Sequence, residues 1–106
     1  MNYQLFENHA AAFLKEHHHE VLAQDYRRSR TQIDVIARKN KILVVVEVKY
    51  RKHGGLPEGL ISPGQKARIL REIGPLMVKY HCHEYRLVLF YYKAKSFVPE
   101  IIEIEC

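Results

Sequence analysis

Apolar residues recur along this chain first at helical spacing and then at strand spacing. Leu5, Phe6, Ala10, Phe13 and Leu14 fall on one helical face, which predicts a helix from Leu5 to about His18, ending among three consecutive histidines. Val21–Arg28 and Gln32–Arg38 then read as short strands, and "ARKNKIL" supplies a turn before a third strand, Ile42–Tyr50. The stretch "RKHGGLPEGLI" is rich in Gly and Pro and predicts a loop. At its end "SPGQ" offers Ser62 as an N-cap, Pro63 as the first helical residue and Gln65 as the third, a capping box. Ile69, Leu70, Ile73, Met77 and Tyr80 continue that helix, with a kink expected at Gly74 and Pro75. "YRLVLFYY" and "SFVPEIIEIE" predict the last two strands, and Pro99 places the final one at an edge. The resulting order, α-β-β-β-α-β-β, is that of an α/β domain with a mixed central sheet flanked by helices.

A chain of 106 residues suits a single domain with one modest core, and no repeat, low-complexity tract or linker divides residues 1–106. No apolar run approaches the roughly 18 residues of a membrane span. The N-terminal stretch has no charged start followed by an apolar run and a cleavage site. A cytoplasmic protein without a membrane partner is therefore expected. Cys82 and Cys106 are far from the pattern of a disulfide-stapled domain and predict two free thiols. The formal charge of +5 suits a nucleic-acid partner, and equally a merely basic soluble domain.

The chemistry concentrates on "VVVEVKYRK", Val44–Lys52, where a core-like strand carries Glu47 and Lys49. Side chains alternate across a strand, so these two share a face while Val46 and Val48 share the other. If Asn40 and Lys41 form a two-residue hairpin loop, Lys39 pairs with Ile42, and counting outward brings Asp34 directly opposite Glu47. Like charges so placed, with Cβ atoms about 4.5 to 5.5 Å apart, repel. A divalent cation bridging both carboxylates would relieve the repulsion. An exposed cross-strand ladder of Asp34, Glu47 and Lys49 is the plainer alternative, and the pattern alone leaves both open.

An Asp followed about a dozen residues later by Glu-x-Lys on an apolar strand resembles the PD-(D/E)xK motif of restriction-endonuclease-like nucleases. The chain is more closely similar to the YraN-like family of small bacterial proteins, predicted endonucleases related to Holliday-junction resolvases. The likeness runs through Glu7, Ala10 or Ala11 and "FL", then "DYRRSRTQIDVIAR", then "ILVVVEVKYRK", then Gln65 and Lys66. It implies a restriction-endonuclease-like core and metal-dependent hydrolysis of DNA phosphodiesters by a structure-selective, resolvase-like endonuclease. Asp34 and Glu47, with the backbone carbonyl of Val48, would hold Mg²⁺ or Mn²⁺, and Lys49 would orient or activate the attacking water. Glu7 matches a helical acid that joins such sites, and Gln65 or Lys66 would touch a phosphate. By the same analogy a homodimer is expected, with the edge strand near Val98 as its route. Where the family usually reads Gly-Glu-Ile-Asp this chain has "TQID", and the Asn often found before "YR" is Asp25. Gln32 in place of an acid implies one negative charge fewer near the metal.

The clusters "YRRSR" and "KYRKH" flank the candidate site, so Arg27, Arg28, Arg30, Arg51 and Lys52, with Lys66, are the expected contacts to DNA backbone. "EHHHE" invites a metal, but consecutive helical residues diverge, and a solvated helix end is the better reading. "HCH" lacks the partner pair of a zinc motif and reads as a loop or strand start. Phe90, Tyr91 and Tyr92 are expected to complete the core rather than to stack on bases. Two rivals to the nuclease remain: a non-catalytic nucleic-acid-binding module derived from the same fold, and a structural or regulatory domain that binds a protein. Paired acids favour catalysis, since pure binding has no use for groups that repel phosphate.

Overall fold

A computed structural model describes residues 3–52, 59–93 and 96–105. The elements follow the expected order: α1 (Tyr3–Glu16), β1 (Glu20–Arg28), β2 (Thr31–Lys39), β3 (Ile42–Arg51), α2 (Pro63–Lys79), β4 (Glu84–Lys93) and β5 (Glu100–Ile104). One five-stranded sheet runs β1-β2-β3-β4-β5. The first three strands are an antiparallel meander, β4 lies parallel to β3, and β5 returns antiparallel at the edge. The parallel pair needs a crossover, which α2 supplies. No helix among the described residues is long and apolar enough to cross a membrane.

Each face of the sheet carries one helix. Val44, Val46 and Val48 of β3 pack with Phe6, Ala10, Ala11 and Leu14 of α1. Leu43 and Val45 pack with Ile69, Ile73 and Leu76 of α2. β3 is thus covered on both sides, which explains its unbroken run of valines. Phe90, Tyr91 and Tyr92 are buried, as expected.

Local chemistry sets the element ends. α1 stops at Glu16, two residues before His18 and closer to its N-terminus than expected, because His18 turns left-handed at φ 65° and the His17 imidazole takes up the Phe13 carbonyl at 2.8 Å. Asn40 and Lys41 both have positive φ, 52° and 63°, the geometry of a two-residue hairpin turn, and Lys39 pairs with Ile42. Ser62 caps α2, accepting the Gln65 N–H at 3.1 Å. The expected capping box is only half formed, since the Gln65 side chain is engaged elsewhere. α2 continues through Pro75 to Lys79 as one helix, and both Gly74 and Pro75 lie on its exposed side. The last strand is shorter than expected. Pairing with β4 begins at Glu100 opposite Tyr91, one residue after Pro99, which has no N–H to give. The middle of the Gly- and Pro-rich loop, residues 53–58, and the thiol of Cys106 lie outside the described residues, while Cys82 is a buried free thiol.

β2 ties the layers together. Arg38 reaches the Tyr80 carbonyl at the end of α2 and pairs with Glu20 at 2.7 Å. Its neighbour Lys39 donates to the His17 carbonyl, beyond the end of α1, at 3.1 Å. Successive strand residues point to opposite faces, so one dipeptide caps the C-terminal ends of both helices.

The core makes a direct prediction. Ile36 is fully buried against α2. Ile36→Ala should cost about 2 to 5 kcal/mol in urea unfolding, whereas Val78→Ala, on a residue 78% exposed, should leave the midpoint nearly unchanged.

Candidate active site

β2 and β3 pair regularly from Lys39 and Ile42 to Val35 and Val46, and the next step along both strands is Asp34 and Glu47. At that step the alternation of β2 breaks. Val35 packs on the α1 side, yet Ile33, two residues away, packs on the α2 side with Ile36. The neighbouring strand does the same: Gln24, opposite Val35, reaches Asn8 of α1, while Tyr26, opposite Ile33, reaches Glu72 of α2. Between them Asp25 has φ 51°. Such interruptions re-aim side chains next to functional sites.

Here the interruption turns the Asp34 carboxylate towards β3, where its Oδ2 accepts the Val48 N–H at 2.7 Å. The N–H and C=O of a strand residue face the same neighbour, so the Val48 carbonyl is turned towards β2 as well. Glu7 and Tyr3, one turn apart on α1, both bring their side chains against Asp34. Glu47 comes from the α2-facing series of β3, and its Oε2 accepts the Gln65 side-chain N–H at 3.1 Å. Its other oxygen, Oε1, is buried with no hydrogen-bond partner. Relative exposures are 4% for Asp34, 2% for Glu47 and 3% for Glu7.

These values exclude the exposed ladder. The two strand acids lie inside, and no ion pair joins Lys49 to either among the described residues. Burial pushes the Glu47 carboxyl up to about 8, with the Asp34 charge adding and the Lys49 ammonium opposing. Glu7 is likewise pushed up to about 8, by burial first and then by its hydrogen bond with Asp34. A protonated Glu7 donates to the Asp34 carboxylate and is in this state a hydrogen-bond partner rather than a third anion. Burial, then the surrounding carboxylates, also raise the Tyr3 hydroxyl.

Among the described residues no group of three His, Cys, Asp or Glu side chains is arranged to hold a metal ion by itself. The groups that would hold one here are the Asp34 and Glu47 carboxylates with the Val48 carbonyl. An unpartnered buried carboxylate oxygen is costly without a proton or a cation, and an all-oxygen set suits Mg²⁺ or Mn²⁺ rather than zinc.

The remaining expected residues spread around this centre. Arg27 pairs with Asp25 at 3.2 Å and Arg28 with Glu72 at 3.8 Å. Arg30 lines a polar hollow that also includes Gln65. Arg51 and Lys52 are exposed at the C-terminal end of β3, and the Lys66 ammonium bonds the Glu105 carbonyl. Gln32 does not share the buried position of Asp34. It is exposed and donates to Asp25 at 3.0 Å, so the two departures from the family pattern touch each other. Across the strand pair from Gln32, the Asp25 charge acts on Glu7. Tyr3 and Arg68, which lines the same hollow as Arg30, were not legible as site residues. The helical spacing from Tyr3 to Glu7 was the one available signal.

The motif comparison decides the family. A model of the uncharacterised protein family UPF0102 matches residues 6–90. The chain belongs to UPF0102. The match spans Glu7, Asp34, Glu47, Lys49 and Gln65 and stops within β4. A UPF0102 protein of Lachnoclostridium phytofermentans is 43% identical over 65 residues, 59% of this chain and 55% of the relative. Another, of Syntrophus aciditrophicus, is 41% identical over 68 residues, covering 62% and 54%. A third, of Caldicellulosiruptor bescii, is 35% identical over 77 residues, covering 71% and 64%. The chain thus spans about half the length of the first of these curated relatives. UPF0102 is the YraN-like family that the motifs resemble.

The raised carboxyls fix a pH dependence. A group that binds its proton more tightly when folded stabilises the fold fully below its unfolded value, here 4.5, and loses that contribution as pH rises through about 8. In chelator, the thermal midpoint of the wild type should therefore fall between pH 5 and 8 relative to that of Glu47→Gln, which has no proton to lose. Parallel curves for the two proteins would mean that Glu47 is ionised normally.

Proposed function

We propose that this protein is a metal-dependent phosphodiesterase, an endonuclease that cuts DNA by recognising its structure, branched DNA included. The observation that carries this reading is the buried Asp34 and Glu47 pair with Glu47 Oε1 left without a partner. Mg²⁺ or Mn²⁺, held by Asp34, Glu47 and the Val48 carbonyl, would supply charge neutralisation and activation of the attacking water.

The chain's own groups divide the remaining work. Gln65 fixes the Glu47 carboxylate from α2, and the Val48 N–H fixes that of Asp34. Glu7 holds a proton against Asp34 while no cation is present and orients that carboxylate. Lys49 follows Glu47 by two residues on the same face, where its ammonium lowers the cost of negative charge on Glu47. In that place it orients the attacking water and neutralises charge that builds on the phosphate. Arg27, Arg28, Arg30, Arg51 and Lys52 stand on the ends of β1 and β3 and the start of β2, all at the acid end of the sheet. In this reading they would hold the DNA backbone on either side of the acids, and Lys66 on the first turn of α2 would extend that surface. The exposed edge of β5, with Ile101 outward, is the surface a second copy would use.

Unfolding with and without metal tests the site without knowledge of the substrate. Mn²⁺ should raise the wild-type midpoint over that in chelator and leave Asp34→Asn unmoved, because only the native wild type binds the ion. Asp34→Asn keeps an acceptor for the Val48 N–H and, above about pH 8 where Glu7 and Glu47 give up their protons, removes a repelling charge, so in chelator at that pH its midpoint should equal or exceed the wild type's. On a panel of linear, flapped and four-way DNA, Mn²⁺ or Mg²⁺ should support nicking that Asp34→Asn, Glu47→Gln and Lys49→Met each abolish. Ca²⁺ should bind without supporting cleavage. Salt-sensitive binding to DNA with no cleavage and no response to Mn²⁺ would instead establish the non-catalytic module.

A further inference from the structure

Beside the acids, on the α2 side of the sheet, lies a polar hollow of about 220 Å³ lined by Arg30, Thr31, Gln32, Gln65, Arg68 and Ile69. We propose that it binds one phosphate of the nucleic-acid backbone, the neighbour of the phosphate at the carboxylates. The inference rests on the nuclease reading for its substrate, and on the hollow's own chemistry for the phosphate.

That chemistry is one-sided. The lining includes two guanidiniums, two amides and a hydroxyl, and no carboxylate. Arg27, Arg28, Arg38, Arg86 and Lys93 each have a carboxylate at 3.8 Å or closer, whereas Arg30 and Arg68 have none among the described residues. Two like charges facing one space repel unless an anion joins them. Planar guanidinium forks match the paired oxygens of a phosphate.

The hollow is also built rather than incidental. Thr31 is buried at the start of β2 and donates to the Arg68 carbonyl at 3.5 Å, pinning α2 to the strand that carries Asp34. Gly64 has no side chain, and the position its Cβ would take is 3.4 Å from Arg68 Nη1, so the guanidinium folds back over the first turn of α2. Gln65 belongs to both places. It lines the hollow and holds Glu47 at 3.1 Å, which puts the hollow one side chain away from the candidate metal ligand. A strand seated at the acids passes this hollow, and a phosphate in it would fix the register of the strand without reading a base.

Two measurements in chelator, where nothing turns over, test the site. The first follows the arginine Nε–Hε resonances while the protein is titrated with inorganic phosphate, or with a single-stranded oligonucleotide lacking terminal phosphates. The signals of Arg30 and Arg68 should shift with both, and at lower concentration with the oligonucleotide. A response to inorganic phosphate alone would overturn the backbone assignment. The second compares DNA affinity across salt for the wild type and the double variant Arg30→Gln/Arg68→Gln. Losing one phosphate contact should weaken binding to every sequence alike and reduce the slope of log affinity against log salt by about 1. An unchanged slope in a variant with the wild-type thermal midpoint would remove the subsite. The two readings fail separately. A protein that shows the shifts but never cuts DNA keeps the subsite and loses the nuclease, and one that cuts DNA with an unchanged slope in the variant keeps the nuclease and loses the subsite.

Discussion

The hydrogen bond from the Val48 N–H to the Asp34 carboxylate, at 2.7 Å and buried, is the constraint around which the rest of the site is arranged. A strand acid normally points above or below its sheet. Asp34 instead lies where the alternation of β2 breaks, between Ile33 on the α2 side and Val35 on the α1 side. Its carboxylate takes a main-chain donor of the next strand and is accessible from both layers. Glu7 and Tyr3 approach it from α1, while Glu47 adjoins it from the α2-facing series of β3. A regular strand would have offered Asp34 to one layer only.

The charge balance of this centre is set by competition between protons and cations. Three carboxyl groups are buried together, and the nearest ammonium, Lys49, offsets only part of their repulsion. Without a metal, the fold accommodates them by holding protons on Glu7 and Glu47 well above the usual carboxylate range. A divalent ion would displace a proton from Glu47 and satisfy its bare oxygen, so metal affinity should itself rise with pH. Glu7 is suited to a different part, because its hydrogen bond to Asp34 survives in the protonated state and keeps that carboxylate aimed.

Much of this was legible from residue order alone. The two-residue loop at Asn40 and Lys41 sets the register of β2 on β3, and continuing that register one step past the last pair, Val35 and Val46, brings Asp34 to Glu47. Element order and the two helical faces followed from apolar spacing. Four features were not legible, each because it depends on contacts between elements distant in sequence. The face switch at Asp34 leaves no mark on a strand whose neighbours, Ile33 and Val35, are apolar on both sides. Gln65 satisfied the capping pattern, yet its amide goes to Glu47, a partner that only the packing of α2 on β3 reveals. Gln32 read as a lost acid, but its amide bonds Asp25 across the strand pair, a contact that only the pairing of β1 with β2 reveals. Arg68 carried no signal at all, because one arginine on an amphipathic helix is indistinguishable from a solvated one until the hollow is seen.

The two ends of the sheet are electrically opposite by construction. α1 brings Tyr3 and Glu7, from its N-terminal half, to the acids, and α2 brings its first turn through Gln65. Their C-terminal ends lie at the other end, where Lys39 and Arg38 take the carbonyls of His17 and Tyr80. Helix dipoles carry partial positive charge at the N-terminus and negative at the C-terminus, so both helices favour an anion at the acid end. That orientation offsets the cost of gathering carboxylates there, and it favours a phosphate for the same reason. At that other end His18, Asn40, Lys41 and His81, all with positive φ, line one hollow together with Arg38 and Lys39, while Asp25 and Ser29 take positive φ at the acid end. The cation caps on the two helices therefore sit at the end away from the acids, where Arg38 and Lys39 meet the negative ends of both dipoles and leave the positive ends to the carboxylates.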